Sequence, residues 1–290
     1  MIDKYKNTHN KYVDLAQISA GLKLARDGIW YSKDVQPISY PLEGHDNYFE
    51  IEDHSFWFRH RNDCIASLVN VFPPTGNGPI FDIGGGNGCV SLGLSNAGYE
   101  VVLVEPGPNG VRNAKTRGVK NIVCATTDTA NFKPSSLPAV GLFDVIEHVE
   151  NDLTFLQSIK SLVQQDGRVY ATVPAYLLLW SDEDISAGHF RRYSLKGITN
   201  VLETAGFEVE FASYIFRFLP LPIFLLRTLP YKLGIKRSVA DRQTKSRDHQ
   251  VKEGLISRTI GFLLNAEVEN LNQHKAMRFG ASCLIVAKNS

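Results

Sequence analysis

Residues 81–88 read FDIGGGNG, and the architecture follows from them. The stretch comes after a breaker cluster, FPPTGNGP at 72–79, and Ile80–Ile83 reads as a short apolar strand. Glycines then let the backbone turn tightly and approach a ligand closely. Cys89–Asn96 reads as the next helix, so its free N–H groups open onto the turn. Strand, glycine turn and helix in that order form the first half of a βαβ unit.

Downstream the pattern repeats. Val101–Val104, Asn121–Cys124, Val140–Val145 and Arg168–Val173 read as strands, followed by Phe207–Ser213 and Ser282–Ala287. Val111–Arg117, Asp152–Val163 and Leu195–Ala205 read as helices between them, with Asp166-Gly167 as the turn before the fifth strand. Alternating strands and helices predict an α/β fold with right-handed crossovers and a mostly parallel sheet. Ligands in such sheets bind outside the carboxyl ends of the strands. Upstream, helical patterns at Val13–Ala25 and Asp53–Phe72 predict an N-terminal helical cap over residues 1–78. A core over 79–215, an insert over 216–281 and a last core strand over 282–290 complete the expected division.

The chain has 290 residues, 43% hydrophobic, which is enough for one large elaborated α/β domain. Its formal net charge is +1, which argues against a general nucleic-acid binder. None of the four cysteines lies within CxxC spacing of another, so no zinc or iron–sulfur framework is visible, and a reducing cytoplasm is the expected location. The N-terminal residues lack a signal-peptide core, and no apolar run reaches the roughly 18 residues of a membrane span.

Which ligand suits the glycine turn is partly decided by elimination. No Lys-Ser or Lys-Thr follows the glycines, which disfavours a phosphate loop. The dinucleotide pattern GxGxxG fails, because its last position holds Cys89 or Ser91. Asp82 stands where a carboxylate repels a pyrophosphate but suits an ammonium group. Glu105 ends the second strand, and a carboxylate there can accept hydrogen bonds from both hydroxyls of a ribose.

With these residues the chain resembles the class I S-adenosylmethionine-dependent methyltransferases, in particular the type 11 and type 23 groups that include ubiquinone-biosynthesis-like enzymes. FDIGGGNG is similar to their first motif and VVLVEP at 101–106 to their second. LFDVIEHVEND at 142–152 and DGRVYATVPA at 166–175 are similar to their fourth- and fifth-strand motifs. HFRRYS at 189–194 and SFWFRHRN at 55–62 resemble segments of a bacterial subgroup associated with sugar and lipid-carrier pathways. The resemblance implies a Rossmann-like seven-stranded sheet with helices on both faces and an antiparallel last strand. It implies S-adenosylmethionine as cofactor and S-adenosylhomocysteine as product. Asp82 would organise the loop and face the methionine amine, with Gly84, Gly85 and Gly86 giving close approach. Glu105 would hold the ribose and Pro106 would lie near the adenine. Thr126, Thr127 or Asp128 would reach the adenine, although CATTDT departs from the usual Gly-Asp pair. Asp144 would close the fourth strand near the cofactor. Arg59 or Arg61 would meet the methionine carboxylate, unless they form ion pairs on a helix surface.

If the acceptor is a hydroxyl, a base helps remove its proton, and no metal is intrinsically required. His148 is the first candidate base and His189 the second. Arg191, Arg192 and Tyr193 follow His189 and suit a phosphate or carboxylate on the acceptor. The other reading pairs an arginine with the acids of SDED at 181–184. In the insert, the apolar run 214–231 adjoins 231–252, whose net charge is +5. That pairing suits contact of 214–252 with an anionic membrane surface or a lipid phosphate, while the plainer reading is an apolar lid packed on the sheet. The expected function is methyl transfer to a small-molecule acceptor, sugar- or lipid-linked by preference. The rivals are an NAD(P)-dependent Rossmann oxidoreductase and a non-catalytic scaffold of the same fold.

Overall fold

The computed structural model describes residues 14–33, 49, 51–235 and 255–290, with side chains from residue 260 onward in the last span. In chain order come α1 (Leu15–Ile18), β1 (Leu22–Leu24), β2 (Trp30–Ser32), α2 (Phe56–Val71) and β3 (Ile80–Ile83). Then follow α3 (Cys89–Asn96), β4 (Val101–Val104), α4 (Pro108–Arg117), β5 (Asn121–Cys124), α5 (Thr127–Ala130) and β6 (Leu137–Phe143). The second half holds α6 (Asp152–Leu162), β7 (Val163–Pro174), α7 (Asp182–Ala187), α8 (Leu195–Thr204) and β8 (Glu208–Ile215). The insert contributes α9 (Pro220–Ile223), a π turn (Phe224–Thr228), α10 (Leu229–Lys232) and α11 (Leu255–Asn272), before β9 (Ser282–Lys288).

One sheet runs β1-β2-β5-β4-β3-β6-β7-β9-β8. β3 pairs parallel with β4 and with β6, so the strand order reverses beside β3. That reversal opens the crevice at the carboxyl ends of β3, β4 and β6. β9 is antiparallel to both its neighbours. Every residue of β3 and β4 is buried, as expected of continuous apolar runs covered on both faces. Alternate residues feed opposite cores. Phe81, Val102 and Val104 pack with Leu156 and Ile159 of α6 and Ile198 and Leu202 of α8. Ile80 and Val101 pack with Ile65, Leu68 and Val69 of α2 and with Leu94 of α3.

Three expectations need correction. The sheet has nine strands rather than seven, because the N-terminal segment is not wholly a helical cap. The pattern at Val13–Ala25 yields one helical turn and then β1. β2 lies parallel on β5 with Trp30 opposite Val123, and so satisfies backbone groups that an open edge would leave unpaired. Second, β7 starts at Val163, directly after α6. Asp166-Gly167 is an irregularity inside the strand, with Asp166 at φ 61 and the register shifting between Leu137 and Ala139. Third, the described part of the insert is packed on the sheet only in part: Leu219, Ile223, Leu264 and Val268 pack against the core, whereas Leu221, Leu226 and Leu233 remain more than 60% exposed. Most of the basic run falls at 236–252, outside the described residues. No helix among the described residues is long and apolar enough to cross a membrane.

Candidate functional site

The cofactor end is built around the turn after β3. Gly84 has φ 69, and a Cβ there would lie 2.9 Å from Val145 Cγ2. A Cβ on Gly85 would meet Asp82 Oδ2 at 2.8 Å. Only glycine fits either place, because the turn is wrapped tightly around the Asp82 carboxylate. Asp82 itself is 1% exposed, and Ser91 Oγ donates to its Oδ2 at 2.6 Å. Burial pushes this carboxyl up to about 6 against the pull of Ser91. The side chain therefore shapes the loop from inside and ties it to α3; it does not present an open face to the crevice.

Glu105 joins two turns. Gly86 N–H donates to its Oε2 at 3.0 Å and Gly107 N–H to its Oε1 at 2.6 Å. Burial pushes the carboxyl up to about 7, with the two N–H groups opposing. These two bonds hold the carboxylate at the mouth of the crevice, between the turns after β3 and β4. Pro106 and Thr127 are half-buried beside this edge, and Asp128 is exposed. Thr126 spends its hydroxyl on a capping box with Thr129, which explains why CATTDT departs from the usual pair.

At the end of β6, Asp144 sits at φ 56. Thr172 Oγ1 donates to its Oδ1 at 2.9 Å, and Arg61 donates to its Oδ2. Of the two arginines singled out on α2, Arg61 reaches the sheet edge, whereas Arg59 is exposed. Sequence reasoning missed a second brace. Arg117 donates to Glu52 at 2.6 Å and to the Asn87 carbonyl at 2.8 Å, which ties residues 49–53 across the glycine turn. Asn87 inside the turn was a visible signal; its partners 30 and 35 positions away were not.

The acceptor end lies beyond β6 and β7. His148 and His189, 41 positions apart, meet edge to face with ring centroids 4.7 Å apart. Burial, and then the neighbouring His189, push His148 down to about 4. Asp184 accepts from His189 at 2.9 Å and from Arg192 at 2.7 Å. Burial alone would raise the Asp184 carboxyl, but these two partners hold it below its ordinary value. Arg191 pairs with Asp152 at 2.7 Å, and Tyr193 donates to the same carboxylate oxygen at 2.7 Å. Arg191, Arg192 and Tyr193 are thus engaged within the chain, and they fix the loop that carries His189. Glu147 is 1% exposed, and its Oε2 has no hydrogen-bond partner. Burial, and then Asp144, raise its carboxyl well above the usual range.

Comparison with known proteins places this geometry. The chain is 25% identical over 97 residues to a ubiquinone biosynthesis O-methyltransferase of Xanthomonas campestris pv. campestris, covering 31% of this chain and 41% of that protein. It therefore spans about two fifths of that curated relative. Among solved structures, a methyltransferase bound to the Trm112 activator of Haloferax volcanii matches at TM-score 0.53 and 14% identity, over 85% of this chain and 96% of that one. A Haemonchus contortus phosphoethanolamine N-methyltransferase 2 in complex with S-adenosyl-L-methionine matches at TM-score 0.51 and 18% identity, over 89% of this chain and 61% of that one. At such identities the solved structures establish the fold. The family profile goes further, matching residues 57–211 as a methyltransferase domain. Matched over more than half its length, the chain belongs to the Methyltransf_23 family of methyltransferase domains.

Proposed function

We propose that the chain transfers a methyl group from S-adenosylmethionine to a small acceptor with a substantial apolar part, of the sugar- or lipid-linked kind. The observation that carries this reading is a shared edge. Glu105 stands at the end of β4, and His148 and His189 stand beyond β6 and β7, at the same carboxyl side of one sheet.

The residues fit the cofactor. The turn at Gly84 and Gly85 leaves no room for a Cβ, which suits close backbone approach. Glu105, a carboxylate at the end of β4, accepts the ribose hydroxyls. The Arg61–Asp144 pair offers a cation and an anion side by side, complementary to the charged groups of an amino acid. When bound, the cofactor supplies an activated methyl on a sulfonium with a neutral thioether leaving group. The chain aligns the acceptor and keeps water out. His148 and His189 face the acceptor, where a neutral imidazole takes up the hydroxyl proton.

The rim supports an apolar acceptor. Leu177, Leu178 and Phe190 are each more than half exposed, and the turn at 177–179 packs against the insert at 224–228. With the +5 charge of 231–252, the exposed leucines of the insert form a contact for a lipid phosphate or an anionic membrane surface. The functional division is 1–78 as lead-in, 79–215 as cofactor core, 216–281 as acceptor-side insert and 282–290 as closing strand. Incubation with S-adenosylmethionine and a panel of polyprenyl-phosphate, phenol and sugar acceptors, read as S-adenosylhomocysteine release, tests the reading. Cofactor binding without turnover on any acceptor class would favour the scaffold; affinity for NADH instead would favour the dehydrogenase. Failure to pellet with anionic vesicles at low salt removes the membrane contact.

A further inference from the structure

We propose that Glu147, His148 and His189 form a binding site for a divalent transition-metal cation of the Zn2+ or Mn2+ type. One ligand atom from each lies within 4.8 Å of the others. Ligands about 2.0–2.2 Å from a common zinc ion lie roughly 3.4 Å from one another, so side-chain adjustment of about 1 Å closes the set. Two imidazoles and one carboxylate with an open position are a set that borderline cations favour over magnesium.

Three features separate this corner from an ordinary polar cluster. First, each histidine has one ring nitrogen committed to an outer partner. Asp184 accepts from His189 Nδ1, and the Gly188 carbonyl accepts from His148. Such carboxylate and carbonyl partners fix the tautomer and aim the other nitrogen at a metal. Second, the nearby ionic groups among the described residues are already paired with one another. Arg61 pairs with Asp144, and Arg192 pairs with Asp184. Glu147 is buried with an unpartnered oxygen inside the cluster, and a cation supplies what that oxygen lacks. Third, a second trio of possible ligands among the described residues, His60, Cys64 and Glu267, is already spent. Glu267 already accepts from His60, Phe216 N–H and Arg217 N–H at 2.7–3.0 Å, which makes His60, Cys64 and Glu267 a brace between α2 and α11.

The role of the site rests on the reading of the chain as a methyltransferase: a cation here would engage both imidazoles, take over from them the activation of the acceptor hydroxyl, and lower its affinity for a proton that then passes to water. The existence of the site does not rest on that reading. The test is calorimetric titration of the EDTA-treated full chain with ZnCl2 and with MnCl2, followed by S-adenosylhomocysteine in the same cell. One equivalent of cation should bind, Asp184→Asn should weaken it about 10- to 100-fold, and His189→Ala and Glu147→Gln should weaken it at least as much. No cation binding by wild type, or equal binding by all variants, overturns the site; intact S-adenosylhomocysteine binding in that case leaves the methyltransferase reading standing. Cation binding without S-adenosylhomocysteine binding would sink that reading alone. If the variants do not fold, diethyl pyrocarbonate modification of wild type decides. Zn2+ should protect His148 and His189 while an exposed histidine, His54, reacts as before; equal labelling with and without the cation overturns the proposal.

Discussion

Glu105→Ala should weaken cofactor binding and, separately, change how stability depends on pH. The carboxylate receives Gly86 and Gly107 N–H groups and, with the cofactor bound, the ribose hydroxyls. Each hydrogen bond from a ribose hydroxyl to a charged acceptor is worth roughly 1.5–3 kcal/mol, so the loss is at least about 3 kcal/mol. That is near a hundredfold in Kd for S-adenosylhomocysteine. The stability effect fades at high pH. Burial, opposed by the two N–H groups, raises the carboxyl from 4.5 to about 7. Its folded value lies above its unfolded one, so its contribution is fully present below 4.5 and disappears as pH rises through about 7. The difference corresponds to about 3 kcal/mol across that window. Alanine has nothing to titrate, while Asp82, also raised, titrates in both proteins. The stability advantage of wild type over Glu105→Ala should therefore shrink from pH 4.5 to pH 8 in urea unfolding. Calorimetry at pH 7.5 that finds S-adenosylhomocysteine affinity within threefold of wild type would refute the ribose role. A stability difference that stays flat with pH would refute the account of the buried carboxyl.

Gly84→Ala forces a Cβ to 2.9 Å from Val145 at φ 69, and left-handed strain of about 1–2 kcal/mol should appear in unfolding with a fall in S-adenosylhomocysteine affinity. Asp184→Asn strips a fully buried carboxylate from His189 and Arg192, and should cost about 3–5 kcal/mol in urea unfolding. In wild type the Asp184 contribution is present above 3.8 and should fade as the solution is acidified below that value, because its folded carboxyl is held lower still. Glu267→Gln turns an amide N–H toward groups that already donate, and should destabilise by about 1–3 kcal/mol, read as a lower urea midpoint.

The sequence made the centre of the sheet legible to the residue. β3, β4 and β5 begin and end where the sequence places them, because a buried strand needs a mainly apolar run and turn residues interrupt it. β1 and β2 were hidden for the opposite reason. They are three residues long, and what makes β2 a strand is β5, about 90 positions on. Asp82 and Glu105 were legible as a pair of strand-end acids, but the inward orientation of Asp82 depends on Ser91, one turn into α3. The arginines of HFRRYS left two readings open, and the partners that settled it, Asp152 and Asp184, lie on separate helices. Nothing local links His148 to His189 or leaves Glu147 without a partner; those facts exist only once β6 and β7 have paired.

The position of β9 sets the order in which this protein can be made. Cys283–Ala287 are fully buried, and β9 is hydrogen-bonded on one side to β7 and on the other to β8. A ribosome delivers β7 and β8 long before the strand that joins them. Until residues 282–288 emerge, two apolar strand edges face solvent, so this half of the sheet stays open while the whole insert is being made, an interval that invites chaperone protection.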